Sequence, residues 1–208
     1  MGGRGASAGG RYGGGGLNDS DILDRTSLVS AREGNTKMVD DVLGVCRNVY
    51  DDYGMQLDDL HLATIKSSAS AMAYYDGANV GFNKSYFNQK KLESAYANSV
   101  KTGFHPKNGN KTAAEAVAAH ELGHALTGKA GNKMGGLSIH AAATRIVNEA
   151  RMQTKHKGVV QMSSRISKYA THSNAEAVAE AFADVYCNGK KAKAESIAII
   201  NTLNKYAK

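Results

Sequence analysis

TAAEAVAAHELGHALTG, residues 112–128, concentrates more structural and chemical information than any other stretch of the chain. Thr112 and Glu115 stand three apart at its start, the spacing of a capping box, in which each side chain satisfies the backbone N–H of the other's end. Alanine, the best helix former, fills the next positions. A helix is therefore expected from about Ala113, with Gly128 as its candidate C-terminus. His120 and His124 lie four residues apart, so they project from one face on successive turns. That spacing lets both imidazoles reach one tetrahedral Zn²⁺ at about 2.0–2.1 Å. Glu121, beside the first histidine, is placed to take a proton from water that such a metal polarises.

A catalytic zinc needs a third protein ligand and an open position. The candidate lies about fifty residues on, in YATHSNAEAVAEAFAD, residues 169–184. Ser173 can cap a helix with Glu176 at its third position. Glu176, Glu180 and Asp184 then recur at i, i+4 and i+8 on one stripe. Alanines and Phe182 surround the stripe, which points to a buried helix. Carboxylates there are costly unless something positive meets them, and a metal together with the Nδ1–H of a ligand histidine would do so. Two assignments fit. Either Glu176 binds and Glu180 orients a histidine, or Glu180 binds and Asp184 orients. The spacing does not choose between them.

Working outward, the chain has 208 residues, 42% hydrophobic and 22% charged, with one proline and two cysteines. That is ordinary globular usage for about one domain. Two distant cysteines exclude a disulfide scaffold, and Cys46, on an apolar helical face, reads as packing. No apolar run nears the ~20 residues of a membrane span. Residues 1–16 hold nine glycines and read as a disordered tail without the apolar core of a Sec signal peptide. Residues 17–59 read as a helical segment packing on a domain of residues 60–208. Within it, a helical turn is expected at 20–24, and apolar spacing predicts a helix over 36–53 with Gly54 at its end. A strand is expected at 57–65, and a hairpin at 71–75 and 79–83 around Asp76-Gly77. Further helices are expected at 85–100, 113–127, 138–155, 174–187 and 191–207, with a loop at 102–111. The fold class is α+β, mainly helical, with a small sheet before the metal helix. Either hairpin strand could form an edge that binds an extended peptide, although Tyr74, Tyr75 and Phe82 equally suit a core. The glycine-rich 128–137 reads as a flap or a connector. His61, His105, His140, His156 and His172 show no ligand spacing and are expected at the surface; His172 alone is close enough to Tyr169 and Glu176 to approach a cleft.

Charge is uneven. Residues 17–60 carry ten acids and four bases, residues 61–208 nine acids and twenty bases. A basic C-terminal part can attract nucleic acid or an acidic partner, but an acidic segment packed against a basic one explains the pattern without either, and nucleic acid is not favoured.

HELGH with YATHSNAEAVAEAF resembles the gluzincin metallopeptidases of the anthrax lethal factor and Pro-Pro endopeptidase group. Their pattern is a tyrosine, six residues, the ligand glutamate, three residues and a second glutamate, matched here by Tyr169, Glu176 and Glu180. The resemblance covers about residues 60–190. It implies a zincin fold, one zinc per chain held by His120, His124 and Glu176, Glu121 as base, Glu180 orienting a ligand histidine, and Tyr169 assisting the oxyanion. It implies hydrolysis of a peptide or protein substrate. Where the family often carries bulky aromatics after the ligand glutamate, Ala177 and Val178 stand here. The tail GGRGASAGG resembles N-termini of phage and prophage proteins. It implies a cytoplasmic or virion-associated protein, with a phage structural partner, or a zincin fold kept as a scaffold for capsid or nucleic acid as the rival reading.

Overall fold

The computed structural model describes residues 22–66 and 71–208; the glycine-rich tail lies outside them. Strand β1 (Ile22–Ser27) leads to helix α1 (Thr36–Tyr53), β2 (Leu60–Ile65), the hairpin β3 (Ala73–Tyr75) and β4 (Val80–Asn83), and α2 (Gln89–Lys101). Then come α3 (Ala113–Lys133), α4 (Ile139–Met152), α5 (Val159–Ile166), α6 (Asn174–Asn188) and α7 (Ala194–Ala207). The fold is α+β and mainly helical, as the sequence predicts.

The sheet runs β1-β2-β4-β3. β1 is antiparallel to β2, β2 parallel to β4, and β3 antiparallel to β4. β4 is thus interior and β3 an edge. The hairpin loop is an Asx turn: Asp76 Oδ1 accepts from the backbone N–H of Ala78 (3.1 Å) and Asn79 (2.8 Å). β1 replaces the helical turn expected at 20–24, and it makes the 17–59 segment part strand. Local polarity suggested a turn, but the open side of β2 supplies partners that no local signal shows, pairing Ile22 with Ile65 and Ser27 with His61. Ser20 and Asp21 are outside the described residues. α1 lays Met38, Val42, Val45, Cys46 and Val49 on the core against α3. Its last turn closes with Gly54 at φ 56°, where the left-handed region favours glycine.

α3 and α6 form the most extensively packed pair of elements. Gly123 makes that possible, since a Cβ there would sit 2.8 Å from Ala179 Cα and 3.1 Å from Phe182 Cβ. α3 does not stop at Gly128 but continues one and a half turns to Lys133. Gly128 faces Ile139 and the Tyr75 hydroxyl, so its role is close packing. The helix ends where Gly135 and Gly136 take φ 90° and 80° and the Gly131 carbonyl accepts from Leu137 N (2.9 Å). The expected flap at 128–137 is thus half helix and half short turn. α5 lies where no helix was expected, with Met162, Ser163 and Ile166 buried on one face. Among the described residues no helix is long and apolar enough to cross a membrane.

Candidate metal centre

The capping box at the start of α3 is formed. Thr112 Oγ1 accepts from Glu115 N, and Glu115 Oε2 accepts from Thr112 N at 2.8 Å. This fixes the register of the whole helix. His120, Glu121 and His124 are all buried. Across from them, Ser173 Oγ accepts from Glu176 N (3.1 Å) at the start of α6. Ser173 therefore does the capping, and the Glu176 carboxylate turns inward.

His120 Nε2 stands 3.2 Å from Glu176 Oε2, and His124 Nε2 stands 3.5 Å from the same oxygen. Ligand bonds of about 2.0–2.1 Å in a tetrahedron place donor atoms roughly 3.3–3.4 Å apart. Both histidine–carboxylate distances are close to that spacing, all three donors lie within 4.8 Å of one another, and they form the one such group of histidine, cysteine or carboxylate side chains found among the described residues. The fit has a second sign. Glu121 Oε2, His124 Nε2 and Glu176 Oε2 are buried with no hydrogen-bond partner. Each such atom costs about 1–3 kcal/mol, and two of them, His124 Nε2 and Glu176 Oε2, face each other at 3.5 Å, where a dication would satisfy both.

Glu180 is bound on every side. Its Oε1 accepts from His120 Nδ1 (2.8 Å) and from His105 Nδ1 (2.9 Å), and its Oε2 accepts from Ser167 Oγ (2.6 Å). With Nδ1 of His120 so occupied, its Nε2 is turned to Glu176. Burial pushes the Glu180 carboxyl up, but His105 and His120 outweigh it and hold it down at about 2. Burial likewise raises Glu176, yet His124 and His120 hold it well below the usual carboxylate range. Glu121 is pushed up to about 8, first by burial and then by Glu176 and Glu180, against the opposing charge of His120. Asp184 takes no part. It accepts from Lys193 N (2.9 Å), Ser196 Oγ (2.6 Å) and Asn188 Nδ2 (2.9 Å), and so secures the turn from α6 into α7. Of the two assignments open in the sequence, the geometry has the one with Glu176 at the histidines and Glu180 behind His120.

Tyr169 opens a single turn before α6. Its buried ring lies against His120, with centroids 5.7 Å apart and planes at 28°. The structure thus brings together His120, Glu121, His124, Tyr169, Glu176 and Glu180. Sequence reasoning missed His105 and Ser167. His105 was expected at the surface but is nearly buried, stacked on Tyr96 (5.6 Å, 4°) and bonded to Glu180. The pairing of Tyr169 N with Phe104 O (3.1 Å) brings its loop to the site. No local spacing could have signalled a contact across 75 residues. His61 is also buried, between Asp59 (2.9 Å) and Tyr74 (2.5 Å) on the other face of the sheet. His156 is half-buried on Glu195 (2.8 Å), while His140 and His172 are exposed as expected.

No family model, curated protein or solved structure matches the chain.

Proposed function

We propose that this chain is a zinc-dependent endopeptidase, with His120, His124 and Glu176 as the metal ligands and one zinc per chain. The observation that carries the reading is the convergence of His120 Nε2, His124 Nε2 and Glu176 Oε2 at 3.2 and 3.5 Å, with Glu121 Oε2 buried and unpartnered beside them. Its resemblance to the gluzincin pattern points the same way. A zinc ion there would supply Lewis acidity, polarising a carbonyl and lowering the pKa of water. Glu121 takes the proton of the attacking water and passes it to the leaving amine. Glu180 holds His120 in the tautomer that leaves Nε2 free to bind. Tyr169, against His120, is the candidate donor to the oxyanion, a role worth a few kcal/mol for one donor. Among the described residues β3 is an edge of the sheet and lies beside α3, the position from which an edge strand can pair with an extended chain.

The test is direct. Purified protein should carry about one zinc per chain by elemental analysis, and His120→Ala or His124→Ala should lose it. Full zinc occupancy in both variants would sink the site; zinc without hydrolysis of any peptide would sink the activity while leaving the metal.

A further inference from the structure

Three stretches of the chain carry bases and no acid. Residues 94–114 hold three bases, residues 150–175 five and residues 185–194 three. Far apart in sequence, they are joined in space. Lys168 N donates to Gly103 O (2.9 Å), and a Cβ on Gly103 would lie 4.0 Å from Lys168 Cε. Asn188 Nδ2 donates to Lys107 O (2.7 Å), and Lys193 Nζ donates to Ile166 O (2.6 Å). Lys101, Lys107, Arg165, Lys168, Lys190 and Lys191 therefore belong to one surface. All six are exposed, and among the described residues none forms an ion pair. Carboxylates that bound these stretches are engaged already. Glu93 accepts from Ala113 N, Glu115 from Lys111 Nζ and Glu149 from Lys205 Nζ, while Glu195 lies on His156.

The basic surface adjoins the candidate metal centre at one end only. His105 and Tyr169, which wall the cavity beside Glu121, stand two residues from Gly103 and one from Lys168. Toward the end of α3 the cleft opens into a groove bordered by one acid, Asp58, and one base, Lys129. Lys129 Nζ there donates to the carbonyls of Tyr53 and Gly54. β3 connects the two ends, with Ala73 at the cavity and Tyr75 at the groove. A chain lying along β3 thus meets uncompensated positive charge on one side of the centre and balanced charge on the other.

Resting on the peptidase reading, we propose that the substrate is an acidic polypeptide segment whose aspartates and glutamates lie on one side of the cleaved bond and dock on this surface. An extended chain advances about 3.3 Å per residue, so the acids fall about two to five residues from the cut. Opposite charge raises the local concentration of such a chain and speeds its encounter. Each exposed ion pair formed is worth about 1.4- to 5-fold in binding. Nucleic acid is the other polyanion to consider. Single strands are held by bases stacked on aromatic faces as well as by charge. Phe104 and Tyr169, the rings at this edge, are stacked on each other instead (5.0 Å, 30°), and Tyr169 is buried. Charge alone is therefore offered, which suits a flexible acidic peptide.

The experiment uses the zinc-loaded full chain and synthetic peptides of randomised sequence blocked at both ends, with cleavage sites read by mass spectrometry and Glu121→Gln as the blank. Aspartate and glutamate should be enriched on one side of the cut and not on the other. For an acidic peptide from that profile, kcat/KM should fall with added salt more than for its asparagine and glutamine counterpart. Replacing Lys101, Lys107 and Lys168 together by serine should lower the acidic-to-neutral ratio of kcat/KM by about 10-fold, through KM. Cleavage without acid enrichment, with acids equally on both sides, or with no difference in salt response would overturn the inference and leave the peptidase standing. So would tighter binding of an oligonucleotide than of an acidic peptide of equal charge to the Glu121→Gln protein. Absence of any cleavage would take down the peptidase reading and the inference with it. The parent's own profile and salt response decide even if the triple variant fails to fold.

Discussion

His105 makes two separable contributions, and two substitutions pull them apart. Its ring stacks flat on Tyr96, and its Nδ1 is one of three donors to the buried Glu180 carboxylate. His105→Phe keeps an aromatic ring and removes the donor. His105→Asn keeps an N–H near the Nδ1 position and gives up the ring. A hydrogen bond to a charged group is worth about 1.5–3 kcal/mol. If all of it reached the metal, the loss would be about 10- to 100-fold in affinity, since 1.4 kcal/mol is tenfold. Glu180 retains two donors, His120 and Ser167, and it acts on the metal only by orienting His120. The effect should therefore fall at the lower end of the 10–100-fold range typical of groups that support a ligand. The assay is zinc affinity by competition with a chromophoric chelator, with melting of the metal-free protein measured alongside. His105→Phe should bind zinc about 10-fold more weakly, and His105→Asn should stay near the parent although its ring is gone. If His105→Asn is weakened and His105→Phe is not, the histidine is a packing residue and the argument fails.

Glu121→Gln should keep zinc and fold but lose about 10²–10⁴-fold in kcat, because the amide cannot accept a proton; steady-state kinetics on a cleaved peptide checks it, and parental activity would refute the mechanism. Glu176→Gln should weaken zinc binding in the chelator titration more than Glu180→Gln, since it removes a ligand and leaves two. Asp184→Asn should leave zinc affinity unchanged and instead lower the melting temperature, as its partners are Lys193, Ser196 and Asn188; the reverse ranking would move the site one helical turn. Gly123→Ala puts a Cβ 2.8 Å from Ala179 Cα, an overpacking worth about 1–3 kcal/mol, and by spreading α3 from α6 it should weaken zinc as well as stability, read by denaturant unfolding and the same titration.

What the sequence shows and what it hides divide by the range of the interaction. The helix at 36–53, the start of the helix at 113, the hairpin and the α6 stripe are written in local spacing, because caps and helical faces are satisfied within a few residues. The end of α3 was misread for a physical reason. Gly128 carries the same symbol as a helix stop, but the tertiary structure uses it as a place where Ile139 and Tyr75 can come close. β1 was misread because its stability comes from β2, nearly forty residues away. The proposed metal donors fall between these cases. Each half of the set is local, His120 with His124 and Glu176 with Glu180, while their meeting depends on Gly123 against Ala179, a contact with no chemical signature of its own. His105 is the limiting case. It lies in a loop, it has no spacing to any ligand, and it reaches Glu180 only because Phe104 and Tyr169 pair through their backbones. Residues that bind by side-chain type are thus legible from sequence, and residues that support them through the fold are not. The support here is what sets the tautomer of His120. A search of sequences for the ligand pattern alone would therefore find chains able to gather the three donors without finding which of them hold the imidazoles in place to bind.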